Sequence, residues 1–134
     1  MNAIPKPLPA LRSPEWLQYI RSLPSVISGM RGCVAHHAIG NRYSTLKTSD
    51  YFAIPLTDSE HRALHDRGWR EWELAHGPQM GHALEVLRQG IRDGVLVWQS
   101  GATVRADMDA EEIESAIRYG ELVLDKKAAR YIAG

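Results

Sequence analysis

Four of the six histidines fall between Cys33 and Gly68, as an adjacent pair, His36-His37, and a pair four residues apart, His61 and His65. On a helix, positions i and i+4 share one face with their Cβ atoms about 5–6 Å apart, so two imidazoles there can converge on one ion. A neutral imidazole, with a reference pKa near 6.5, is both a metal ligand and a base able to take a proton from water at neutral pH. The single cysteine, Cys33, excludes a site built mainly on thiolates, so a metal would have to be held by His, Asp or Glu. Spacing alone leaves a plainer reading open: a lone H-x-x-x-H also occurs on solvated helix faces, and either member of the adjacent pair could be a packed or surface histidine.

The surrounding sequence predicts the elements that must position these groups. Ser13-Pro14-Glu15 reads as an N-cap, a first-turn proline and a dipole-favoured acid before a helix that ends near Pro24. A knuckle with Gly29 and Gly32 leads to a strand over Cys33–Ile39. The polar loop Asn41–Asp50 follows, then a second strand over Tyr51–Leu56, which must end at Pro55 or lie at an edge. Thr57-Asp58-Ser59-Glu60 has the form of a capping box and opens a helix that stops at Gly68. Trp69 and Trp72 read as packing residues on a short helical turn, and His76 and His82 as surface or helix-face residues. Met80, Leu84, Leu87, Ile91 and Val95 recur at helical intervals and define a helix over Gln79–Asp93. A last helix is expected from Asp109, with Ile113, Ile117, Leu122 and Leu124 on its apolar positions.

With 134 residues and 44% apolar residues, the expectation is one α+β domain, 1–134, ending in an acidic helical extension, 101–134. No apolar run approaches the roughly 18 residues of a membrane span, and the first residues lack a signal-peptide core, so a cytoplasmic chain without a membrane partner is expected. Sixteen basic residues balance sixteen acidic ones, which gives no whole-chain case for nucleic acid. The distribution is uneven: six bases face two acids from Met1 to Asp50, and seven acids face five bases from Gly101 to Gly134. Arg42 and Lys47, in the loop between the two expected strands, are candidate phosphate contacts or ordinary solvated charges.

The order strand, loop, strand, helix resembles the ββα-metal, or HNH, nuclease finger. A closer resemblance, to the phage and prophage RecA-dependent nucleases of the recombination enhancement function family, rests on AHHAIG (Ala35–Gly40), LKTSDYFAIPL (Leu46–Leu56), EHRALHDRG (Glu60–Gly68) and WELAHGPQMGHALEVL (Trp72–Leu87). It implies a finger core over about 23–96 with flanking helices, and endonucleolytic cleavage of DNA that in some members is directed by a RecA-type recombinase filament. It also implies one divalent ion, zinc or another transition metal, or magnesium in turnover, on His36, His61 and His65. His37 would be the general base, with Asp50 orienting its ring; the plainer role for Asp50 is a strand-end cap. Relatives carry a second, structural zinc on cysteine and histidine pairs. The corresponding positions here are Ser25-Val26-Ile27-Ser28 and Thr57-Asp58-Ser59-Glu60, so no structural zinc is expected, and the capping box is a local substitute worth about 1 kcal/mol. Two other readings stay open: a catalytically degenerate finger that binds DNA or a recombination protein, and an assembly protein whose acidic C-terminal helix docks a partner.

Overall fold

A computed structural model describes residues 8–38, 48–99, 101 and 105–134. Arg42 and Lys47 lie outside the described residues. The architecture is mixed α+β, with six helices and two separate two-stranded antiparallel sheets among the described residues.

Helix α1 (Pro14–Ser22) starts where the Ser13 hydroxyl accepts a hydrogen bond from the Trp16 amide, and it stops at Leu23, which is extended ahead of Pro24. Its buried face, Trp16, Tyr19 and Ile20, lies at the centre of the hydrophobic core. Strand β1 (Cys33–His37) pairs antiparallel with β2 (Ala53–Thr57) in a register that runs from Cys33 opposite Thr57 to His37 opposite Ala53. A single 3₁₀ turn, Asp50–Phe52, precedes β2 and takes the first residues of the expected second strand. Pro55 sits in mid-strand rather than at its end. Its carbonyl accepts from the Val26 amide, outside the sheet, so the position lacking an N–H faces away from β1 and costs no ladder bond.

Helix α2 (Asp58–Arg67) opens on the complete capping box of Thr57 and Glu60 and stops at Gly68, whose φ of 90° few other residues tolerate. Helices α3 (Trp69–His76) and α4 (Gln79–Arg92) follow. The Trp16 side chain of α1 packs so tightly on α4 that a Cβ at Gly90 would lie 2.7 Å from its ring. A mid-helix Gly→Ala change ordinarily stabilises by up to about 1 kcal/mol. Here the sign should reverse: Gly90→Ala is expected to cost about 1–3 kcal/mol through overpacking, read as a lower urea midpoint. An unchanged or higher midpoint would show that the helices have room to part.

The C-terminal region corrects the sequence expectation of one last helix. Helix α5 (Ala110–Arg118) does begin at Asp109, through a second capping box, but it ends at Tyr119. The Glu121 amide then bonds the Ala116 carbonyl and the Gly120 amide bonds that of Ile117, the paired closure of a Schellman turn around a left-handed glycine. Leu122 and Leu124 therefore lie on strand β4 (Leu122–Leu124), which pairs with β3 (Leu96–Trp98). Gly94 closes α4 in the same way, with Val95 bonded to Gly90 and Gly94 to Ile91, and so removes Val95 from the helical series. The short helix α6 (Lys126–Ala133) then packs on α1, burying Ala129 in the same core as Trp16, Ile113 and Leu122.

Candidate metal centre

Strand β1 and helix α2 bring three histidines together. His36, on β1, is 4% exposed. His61 and His65 stand one turn apart on α2, with ring centroids 4.6 Å apart and 5.1 Å and 6.1 Å from that of His36. One nitrogen from each ring lies within 4.8 Å of the other two. A tetrahedral zinc with Zn–N bonds of about 2.0–2.1 Å sets its ligand nitrogens about 3.3 Å apart. The His61 and His65 Nε2 atoms stand 3.1 Å apart, close to that spacing, and the three rings together could hold such an ion.

Electrostatics favour the ligating form. Burial is the main force lowering the pKa of His36, to about 4, with the charges of the neighbouring histidines adding to it and the Gln79 hydrogen bond opposing it. At neutral pH this ring is an uncharged donor. Burial and the charge of His65 also lower the pKa of His61. His36 Nε2–H donates to Gln79 Oε1 at 2.8 Å. Gln79 is fully buried at the first position of α4, 43 residues away, and no local motif pointed to it.

His37, the next residue on β1 and the last of the strand, engages different partners. Its Nε2–H donates to Asp50 Oδ1 at 2.9 Å, and its side chain keeps 38% exposure. Asp50 is almost fully buried and is held from the N-terminal segment as well: Arg12 Nη1 donates to Oδ1 at 2.9 Å and the Ser13 amide to Oδ2 at 2.8 Å. Burial opposes its charge, but the hydrogen bonds from His37, Ser13 and Arg12 together hold the carboxyl below its ordinary pKa. Arg12 Nη1 also donates to the Thr48 carbonyl, so the guanidinium is anchored at one corner while the side chain stays 46% exposed. Sequence reasoning counted Arg12 only as a charge.

A family model described as a protein of unknown function, DUF968, matches residues 2–94. The chain belongs to the DUF968 family. No match was found among the curated proteins or among the solved structures. In this DUF968 chain the matched region runs through the end of α4 and contains all the residues just described, from Arg12 to Gln79. Strand β3 and everything after it lie beyond the match.

The remaining chemistry-bearing residues have structural surroundings. Trp72 is buried beneath α3, with the His76 and His82 rings packed against it and His82 Nε2–H donating to the His76 carbonyl. Glu60 does more than close a capping box. Its Oε1 accepts from the Ser25 hydroxyl at 2.6 Å and from the Thr57 amide at 2.7 Å, while Ser25 Oγ accepts from the Ile27 and Ser28 amides. One carboxylate thus ties the knuckle before β1 to the start of α2.

Although partial burial raises the pKa of Glu60, hydrogen bonds from Ser25, Ser28 and Thr57 lower it further, and the net pKa is below the ordinary value. A lowered folded-state pKa means a contribution to stability that is complete above the unfolded value, near 4.3, and is lost as pH falls through the folded one. Glu60→Ala is therefore expected to cost about 2 kcal/mol at pH 7 and progressively less in denaturant melts as pH falls below about 4.5. A cost that does not change with pH would assign the loss to packing instead.

Proposed function

We propose that this chain is a divalent-metal-dependent endonuclease that hydrolyses DNA phosphodiester bonds, with β1, β2 and α2 forming a ββα-metal finger of the HNH type. The observation that carries this reading is the pairing of two constellations on consecutive residues. His36 belongs to a three-histidine donor set with His61 and His65, and His37 at the strand end is hydrogen-bonded to a buried carboxylate.

In this mechanism, Asp50 accepts the Nε2–H of His37 and leaves the Nδ1 lone pair free, on a partly exposed ring, to take a proton from an attacking water. The imidazolium so formed sits against the Asp50 charge, which Arg12 and the Ser13 amide keep in place. Arg12 keeps its other N–H donors for a phosphate oxygen, and Arg42 and Lys47 are the further phosphate contacts proposed from the sequence. An ion on His36, His61 and His65 would supply charge stabilisation to the phosphate and the departing 3′ oxygen. The balanced net charge favours a substrate chosen by DNA structure or by a partner such as a recombinase filament over nonspecific duplex binding.

The test is cleavage of single-stranded, duplex and branched DNA by the full chain with manganese, magnesium or zinc, with and without a recombinase filament. Cleavage abolished by a chelator is expected. No cleavage of any of these substrates by zinc-loaded protein would reject the enzyme and leave a DNA-binding or protein-binding finger.

A further inference from the structure

Beyond β1, β2 and α2, one residue of α4 touches the buried ring of His36. We infer that Gln79, by accepting the Nε2–H of His36, holds that ring in one tautomer and assigns Nδ1 as its metal-binding nitrogen. The inference rests on the metal centre proposed above and adds a positioning residue to it.

An amide oxygen can only accept, so the 2.8 Å contact from His36 Nε2 to Gln79 Oε1 requires the proton on Nε2. A neutral imidazole with its proton there has its lone pair on Nδ1, so Nδ1 is the ring nitrogen able to ligate an ion shared with His61 and His65. Both partners are buried, His36 almost completely and Gln79 fully, so water cannot readily exchange for either. Gln79 is itself fixed, because its backbone amide donates to Glu73 Oε2 at 2.7 Å across the turn between α3 and α4. A substitution of its side chain leaves that anchor intact. The choice of an amide over a carboxylate has a chemical consequence. A carboxylate would draw the proton toward itself and make the imidazole a stronger, more anionic donor, whereas the neutral amide orients the ring without adding charge.

The test compares wild type, Gln79→Leu and Gln79→Glu as full chains. Long-range ¹H–¹⁵N spectra of histidine-labelled protein read the His36 tautomer without metal and the nitrogen that shifts on adding zinc. Competition with a chromophoric chelator reads the zinc affinity. Expected results are an Nε2–H tautomer in metal-free wild type, a zinc-induced shift at Nδ1, affinity lowered about 10–100-fold in Gln79→Leu, and retained affinity in Gln79→Glu. If His36 carries its proton on Nδ1, or if Gln79→Leu binds zinc as tightly as wild type, the inference is overturned and the centre stands. Wild type that shows the Nε2–H tautomer but takes up no zinc overturns the centre, and with it the assignment of Nδ1 as a ligand. Backbone amide spectra identify any variant that fails to fold, in which case Gln79→Glu and the wild-type tautomer decide.

Discussion

Replacing His37 with alanine is expected to reduce metal-dependent DNA cleavage by about 10²–10⁴-fold while the chain still takes up its ion and keeps its fold. The size follows from the loss of a positioned general base. The selectivity follows from geometry: His37 bonds Asp50, whereas the candidate ligands are His36, His61 and His65. Asp50 would not be stranded by the change, because Arg12 and the Ser13 amide still satisfy its two oxygens. Cleavage rates are compared at saturating DNA, with zinc uptake measured on the same preparations. Undiminished cleavage by a clean preparation would remove His37 from the mechanism. Loss of zinc uptake together with cleavage would mean that the ring serves the centre rather than the water.

The second large effect concerns the ion itself. Native mass spectrometry at neutral pH after zinc loading should show one ion per wild-type chain, and His65→Ala should bind it at least about a hundredfold more weakly, a loss beyond that typical of an outer-shell partner. His65 suits the experiment because it is exposed on α2, so its removal opens no core cavity. No specific ion on the wild type would dissolve the centre. The binding-module reading would then lead, with the capped finger as a scaffold for DNA or a protein.

The readable and the unreadable parts of the chain divide by sequence distance. Signals a few residues long act locally and survive tertiary context: Ser13-Pro14-Glu15 at the start of α1, the Thr57–Glu60 box, Gly68 as a stop, and the four-residue step that sets the His61 and His65 rings side by side. The site's supporting partners do not have that property. Arg12 reaches Asp50 across 38 residues and Gln79 reaches His36 across 43, and each is an ordinary polar side chain until the core brings its element into place. The C-terminal error had a different cause. Leu122 and Leu124 are two residues apart, which is strand alternation and not helical spacing, but a three-residue strand offers too few positions for that alternation to stand out against the helical pattern of Ile113 and Ile117 before it. Gly94 and Gly120 were the deciding residues, because each closes a helix and turns the next apolar run into a strand.

Helix α1 faces two ways, and the region beyond the family match is bound to the site through it. One side packs on β1, β2 and the 3₁₀ turn, and another on α6, while the residues at its beginning, Arg12 and Ser13, grip Asp50. Such shared packing makes a single cooperative unit out of what the match boundary divides. Fraying of the last helix would loosen α1 and relax its hold on the carboxylate behind His37, so protection of that carboxylate and integrity of the distal forty residues should rise and fall as one quantity.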